Sequence, residues 1–140
     1  MENDNEKENL SKIEQQDFNQ ILYILLILIT DLSKYSRDHI SNFNEAIEGY
    51  IELYFSREFL VDFDDSYCIT EEIIIDLEDL MKRVTSLYDS DWMKKLQEKN
   101  EQLDHIRYIA SKVLKILKVE YVDPIKFSDD HLNYDWMFDD

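Results

Sequence analysis

The longest uninterrupted apolar stretch of the chain is Ile21 to Ile29, in which all nine residues are apolar. As a helix, nine residues rise by about 14 Å, whereas the hydrocarbon core of a membrane is about 30 Å thick. The stretch is too short to cross it. Because a helix that is apolar all round must be covered on several sides, we expect a central core helix. One alternative is that a second copy of the chain covers part of this helix. The other is that the stretch forms a buried parallel strand.

Three further segments carry apolar residues at alternating spacings of three and four, which is the pattern of amphipathic helices. Polar residues fill the other positions, so each segment is expected to bury one stripe and leave the rest in water. Lys99 is the one polar interruption of the stripe in the last segment. The expected helices run from about Arg37 or Ser41 to about Phe59, from about Glu71 to Tyr88, and from Trp92 to Leu117.

The composition favours an all-α fold, because Gly49 and Pro124 are the only glycine and proline. Sheets need such residues at their turns. We expect one domain, a bundle of about four helices over residues 13–118, with a polar acidic extension at 1–12. An acidic-aromatic segment at 119–140 is expected to pack on the bundle. In it, Asp123-Pro124 predicts a turn, and Ser128 is suited to cap a short helix over Asp129–Trp136.

Charge is the most informative property of the chain for function. Thirty-two acidic residues against fifteen basic ones give a net charge of −17. The acids lie in blocks, with six at 1–17, nine at 61–90 and seven at 119–140, while residues 91–118 carry seven bases and four acids. Such a field repels nucleic acid and anionic membranes and speeds encounters with basic molecules. We therefore expect a basic protein as partner, with no direct nucleic-acid or membrane binding.

The first candidate binding patch is the acidic loop after Val61 and the helical turn that follows it. Thr70 is suited to cap the next helix, whose first turn favours negative charge, so capping explains part of the cluster. A calcium loop that starts at Asp62 fails at its sixth and twelfth positions, where Tyr67 and Ile73 replace Gly and Glu. The patch consists of Asp62, Asp64, Asp65, Glu71 and Glu72.

The second candidate patch lies in the C-terminal segment, where aromatic and acidic residues alternate. Because aromatic residues dominate interface hot spots, the segment is suited to dock into a basic cleft. This competes with the expectation that the segment folds back, with its aromatics on the bundle and its acids against the lysines of the fourth helix, and different residues can serve the two roles. The patch consists of Asp129, Asp130, Tyr134, Asp135, Trp136 and Phe138.

A third and weaker candidate is a row of acids on the second helix. Spacings of seven, three and four place these acids on one stripe, with neighbours about 5 to 6 Å apart. Like charges at these spacings destabilise a helix by a few tenths of a kcal/mol per pair, so a row of them has a use or is simply a solvated face. The row consists of Asp38, Glu45, Glu48 and Glu52.

Residues with catalytic or metal-binding chemistry are sparse. His39, His105 and His131 lie far apart and belong to no recognisable metal motif. A lone Cys68 cannot form an internal disulfide, which points to a reducing compartment, and no secretory signal is visible, so we expect a cytoplasmic protein. We expect no enzyme activity, no cofactor and no metal site.

These observations favour a small acidic inhibitor, of the immunity-protein, antitoxin or anti-defence type. It would block the basic cleft of a nuclease toxin or another nucleic-acid-binding effector, because such clefts are positive to hold phosphates. In the strict form of this hypothesis, the acidic rows imitate a phosphate backbone. The alternative is a non-enzymatic regulatory or scaffold subunit, and a homodimer is left open. Abundant Ile, Asn and Lys are typical of an AT-rich bacterial or phage genome.

Overall fold

The structure is a computed structural model that describes residues 2–88, 92–98 and 101–132, with side chains from residue 11 onward except at 93, 96 and 102. Within these ranges every regular element is a helix, so the expected all-α class is confirmed. Short 3-10 turns lie at Leu32–Lys34 and Asp65–Tyr67. The α-helices are α1 (Glu2–Ile29), α2 (Arg37–Tyr54), α3 (Arg57–Leu60), α4 (Glu71–Thr85), α5 (Trp92–Gln97), α6 (Glu101–Ile116) and α7 (Pro124–His131).

Helix α1 lies at the centre of the fold, because every residue from Ile21 to Leu28 is buried. Helices α2, α6 and α7 all pack against it. The chain itself therefore covers the apolar run, and a second copy is not needed to bury it. None of the described helices is both long and apolar enough to cross a membrane.

The helical backbone of α1 extends far beyond the apolar run, since it begins at Glu2. The polar segment at 2–12 is therefore continuous with the core helix along its backbone. Burial begins where the sequence becomes apolar: Lys12 and Ile13 are exposed, Phe18 is half-buried, and Asn19 is buried. The side chains of residues 11–18 of α1 thus remain wholly or partly exposed.

The predicted second helix is divided into α2 and α3. Tyr54 is the last residue of α2, and Ser56 adopts an extended backbone before α3 begins at Arg57. The carbonyl of Leu53 accepts both the backbone N–H of Ser56 at 3.3 Å and the Ser56 hydroxyl at 2.8 Å, so Ser56 closes the last turn of the helix. The predicted end of the helix at Phe59 was wrong. The hydrogen bonds of Ser56 with the Leu53 carbonyl favour an end at Tyr54 over the continuous helix that the apolar spacing predicts.

Helix α4 begins where the sequence predicts. The Thr70 hydroxyl accepts the backbone N–H of Ile73 at 3.4 Å, which confirms Thr70 as the N-cap. Helix α4 packs against α6 through a stripe that includes Ile73, Leu77 and Leu80. The predicted fourth helix is seen as two, α5 and α6, on either side of residues outside the described ranges, which include Lys99.

The C-terminal segment returns along α1 as helix α7. Asp123 caps α7 by accepting the N–H groups of Ile125 at 3.2 Å and Lys126 at 3.3 Å, and it also accepts a hydrogen bond from the Tyr35 hydroxyl. The predicted cap at Ser128 was wrong, because Ser128 lies inside α7, which begins at Pro124, a residue suited to the first position of a helix. Residues 133–136 of the predicted helix lie outside the described residues. Buried Phe127 fixes α7 to the core.

Candidate functional site

The acidic loop of the first predicted patch presents its carboxylates to water. Asp62, Asp64 and Asp65 are all exposed. Asp64 caps the 3-10 turn by accepting the N–H of Ser66 at 2.9 Å, and this hydrogen bond lowers the pKa of its carboxyl. The backbone N–H of Asp64 donates to Glu14 of α1 at 3.4 Å. The loop is therefore tied to α1, and it adds negative charge beside that helix.

The other two residues of the first patch belong to a different environment. Glu71 forms a salt bridge with Arg57 at 2.7 Å, and its hydrogen bond from this guanidinium lowers the pKa of the Glu71 carboxyl. Glu72 lies 3.4 Å from the Lys112 amine, which also pairs with Asp76 at 3.2 Å. Charge on these two acids is thus partly neutralised within the molecule. They differ in this from Asp62, Asp64 and Asp65, for which no salt bridge with a described Lys or Arg side chain is seen.

Helix α2 carries the weaker predicted row on its outer surface. Asp38, Glu45, Glu48 and Glu52 are all exposed, and none of them forms a salt bridge with a Lys or Arg side chain that the structure describes. Glu48 and Glu52 lie near Tyr88, where their charges add to burial in raising the pKa of the phenol. The row therefore forms an exposed acidic stripe on α2.

Only the beginning of the tail patch lies in the described chain. Asp129 and Asp130 are exposed on α7. The remaining residues of that patch, Tyr134, Asp135, Trp136 and Phe138, lie outside the described residues. The prediction about their role stays a prediction.

A groove between α2 and α7 joins two of the predicted sites. Tyr23 of α1 lines it, and it has a wider stretch of about 440 Å³ and a narrower one of about 210 Å³. The two stretches share Tyr23, Asn42 and Ser128, so they are neighbours, and the side chains of Tyr23 and Ser128 are hydrogen-bonded to each other. Glu45 of the acidic row lines the wider stretch, and Asp129 of the tail patch lines the narrower one. The fold thus brings together acids that are more than eighty positions apart in the sequence.

A continuous series of aromatic rings leads from this groove to the acidic loop. Successive ring centroids lie 5.7, 5.0, 5.5 and 5.4 Å apart. The first ring lines the wider stretch of the groove and is 46% exposed, and the other four are half-buried. We call this series the aromatic ribbon; it consists of Tyr50, Tyr54, Phe59, Phe63 and Tyr67.

Carboxylates from α1 and from the acidic loop flank the aromatic ribbon. A cavity of about 170 Å³ beside Phe59 and Phe63 is lined by Glu14, Asp17 and Asp62. The Tyr54 hydroxyl donates to Asp17 at 3.1 Å, but burial outweighs this hydrogen bond and raises the pKa of the Asp17 carboxyl. Burial without a positive neighbour is the usual cause of such a shift.

The surface formed by the groove, the aromatic ribbon and the flanking acids is called the acidic-aromatic face below. None of its carboxylates forms a salt bridge with a described Lys or Arg side chain. Arg57 is next to the ribbon in sequence, but its guanidinium is directed to Glu71 and Glu78 of α4. The carboxylates of the face are Glu14, Asp17, Glu45, Asp62, Asp64 and Asp129.

The sequence interpretation missed the aromatic ribbon together with Glu14 and Asp17. A signal was present, because the five aromatic residues recur at spacings of four, five, four and four. That signal crosses the boundary between α2 and α3, where a single helical period no longer applies. The packing of α1 against α2 decides which side of α1 lies beside the ribbon. The periodicity of a single segment does not predict that packing.

No metal-binding group stands out in the described part of the chain, where no three His, Cys, Asp or Glu side chains are arranged to hold an ion. No family model, curated protein or solved structure matches the chain. What the acidic-aromatic face offers is recognition: fixed negative charge beside partly exposed aromatic rings.

Proposed function

We propose that this chain is a small acidic inhibitor, of the immunity-protein, antitoxin or anti-defence type. It binds the basic cleft of a nuclease toxin or another nucleic-acid-binding effector and blocks it. The helices form a compact bundle-like body that presents the acidic-aromatic face, and the reduced state of Cys68 suits action in the cytoplasm. The protein acts by binding alone, without a metal or cofactor.

One observation carries the proposal: only some of the acids form a salt bridge with a described Lys or Arg side chain. Acids of α4 are paired with Arg57, Arg83 and Lys112. The acids of the acidic-aromatic face and of the α2 row have no such partner among the described side chains. A surface of unpaired charge beside aromatic rings is suited to a partner of opposite charge.

Spacing along α2 favours steering by charge over close imitation of DNA. From Asp38 to Glu52 the acidic row extends over about 21 Å of helix. One strand of DNA carries about six phosphates over the same length, whereas the row offers four carboxylates at uneven intervals. The acids therefore accelerate the encounter, and the aromatic rings of the neighbouring face hold the complex together.

The experiment uses the immobilised chain to capture its partner from a lysate of the organism that encodes it. A parallel bait carries three neutral substitutions on exposed acids of the acidic-aromatic face, Glu45→Gln, Asp62→Asn and Asp129→Asn. A matched control loses the same charge from acids paired inside the fold, through Glu71→Gln, Glu72→Gln and Asp79→Asn. We expect a basic protein that binds the wild-type and control baits and is lost from the first variant.

The captured protein is then purified and its cleavage of nucleic acid is measured with and without this chain. We expect one equivalent to abolish cleavage, and the association rate constant to fall about tenfold between 20 and 200 mM NaCl. Cleavage that continues in the complex would contradict the inhibitor. Equal losses with both triple variants would contradict the assignment of the surface.

A scaffold subunit is the second candidate, and exposed apolar residues outside the acidic-aromatic face favour it. Ile75 on α4 is 54% exposed and Tyr108 on α6 is 67% exposed. Such residues are suited to hold a neutral partner. The scaffold predicts a captured protein that keeps its activity and is lost when Ile75 or Tyr108 is replaced by serine.

A further inference from the structure

We propose that the acidic-aromatic face binds an arginine-rich segment of the partner and discriminates arginine from lysine. The inference rests on the proposed function, since it names the chemistry that the same face recognises. The groove between α2 and α7 receives one part of the segment, and the aromatic ribbon receives the rest.

Continuity is the first argument for a single binding surface. Tyr50 lines the wider stretch of the groove and also begins the aromatic ribbon, with its ring 5.7 Å from that of Tyr54. At the other end, Phe59 and Phe63 line the cavity that contains Asp17 and Asp62. An extended segment that leaves the groove therefore meets aromatic rings next and carboxylates beside them.

Charge is the second argument, and it selects a cationic occupant. Glu45 and Asp129 border the groove, and Glu14, Asp17 and Asp62 border the cavity. Of the described cations near the face, Arg57 pairs with α4, and His39 lines the narrower stretch of the groove. Lys12 and Lys126 lie on the helices that carry Glu14 and Asp129, but neither lines the groove or the cavity. A second copy of this chain, with its net charge of −17, is repelled by such a surface.

The aromatic rings are the third argument, and they select arginine over lysine. A guanidinium is planar and weakly hydrated, so it stacks on an aromatic face while its N–H groups bond a carboxylate in two places. A lysine ammonium is compact and strongly hydrated, and it gains less from the same surface. Tyr50 beside Glu45, and Phe63 beside Asp62, offer both features side by side.

Two peptides of equal charge, nona-arginine and nona-lysine, test the inference with the full chain. Affinity is measured by calorimetry at 50 mM NaCl. We expect nona-arginine to bind at least fivefold more tightly than nona-lysine. Tyr50→Ala is expected to weaken nona-arginine about threefold to fivefold and nona-lysine less than twofold. Phe63→Leu, which keeps apolar volume but removes the ring, is expected to act in the same direction.

Tyr108→Ala is the matched control, since Tyr108 is an exposed aromatic residue of α6 outside the ribbon. It should leave both affinities unchanged. Equal affinities for the two peptides would overturn the inference, as would a Tyr50→Ala effect no larger than that of Tyr108→Ala. Selective arginine binding by a chain that inhibits no captured protein would contradict the inhibitor and keep this inference. Inhibition that is unaffected by Tyr50→Ala would support the inhibitor and overturn this inference.

Discussion

Asp17 shows how a single charge of the acidic-aromatic face opposes folding. It is half-buried, and burial raises the pKa of its carboxyl above the ordinary value of 3.8. The folded state therefore binds a proton at Asp17 more tightly than the unfolded state does. The stabilisation that this tighter proton binding gives to the folded state is complete below pH 3.8. It is lost as the pH rises through the folded-state pKa of Asp17. At neutral pH the ionised carboxylate destabilises the fold.

Asp17→Asn is therefore expected to stabilise the protein at pH 7. The amide oxygen can still accept the hydrogen bond of Tyr54, and the buried charge is removed. Because Asp17 is only half-buried, solvent screening limits the gain to on the order of half a kcal/mol, or about 1 to 2 °C in Tm. Thermal unfolding followed by circular dichroism at pH 7 and pH 3.5 checks this, with the gain present only at the higher pH.

Asp62→Asn is the control for Asp17→Asn, because it removes one negative charge from the same neighbourhood at an exposed position. It should raise Tm less than Asp17→Asn does. If both variants gain equally, or if the gain of Asp17→Asn is the same at pH 3.5, relief of general repulsion and not burial is the cause.

The end of α6 is strained at one residue. Lys118 has a φ of 60°, in the left-handed region, where a side chain is unfavourable. Its position is nevertheless fixed, because the N–H of Val119 bonds the carbonyl of Leu114 at 2.9 Å in the pattern of a helix C-terminal cap. Glycine is the residue that usually occupies such a position.

Lys118→Gly is expected to stabilise the fold by about 0.5 to 1 kcal/mol, since the strain relieved exceeds the added flexibility of the unfolded chain. Denaturation in urea provides the measurement. Lys118→Ala makes the same change in charge but keeps the Cβ atom, so it should show no such gain. A gain of similar size from alanine would mean that charge and not backbone geometry is responsible.

Helix starts were predictable from the sequence where capping is local, and helix ends were not. Thr70 caps α4 as expected, because the cap and its N–H donor lie three residues apart. Pro124 was interpreted as a turn although it begins α7, and the deciding contacts of Asp123 include one from distant Tyr35. Long-range contacts of this kind are absent from any single segment of sequence.

The distribution of ion pairs is a property of the whole molecule, and the sequence predicted only part of it. Lysines near the end of α6 were suited to answer acids elsewhere, and Lys112 does pair with Glu72 and Asp76. Which acids would stay unpaired depends on the packing of α4 against α6, which the charge blocks do not specify. For this reason the sequence groups Glu71 and Glu72 with Asp62, although Glu71 pairs with Arg57 and Glu72 with Lys112.

The large negative net charge favours binding of a basic partner but destabilises the folded chain. At −17 the surface acids repel one another, and this repulsion destabilises the compact state. The exposed salt bridges of α4 each offset little of it. Raising NaCl from 10 to 100 mM shortens the Debye length from about 30 to about 10 Å. We therefore expect Tm to rise by about 3 to 5 °C over this range.

The same change in salt is expected to weaken nona-arginine binding, because screening reduces attraction as well as repulsion.

A triple variant of the α2 row, Asp38→Asn, Glu45→Gln and Glu52→Gln, should flatten the salt dependence of Tm, since these exposed acids lack described partners. A Tm that falls with NaCl would mean that the internal ion pairs outweigh the repulsion. In that case the unpaired acids of α2 would be too well solvated to form a strong field toward a partner.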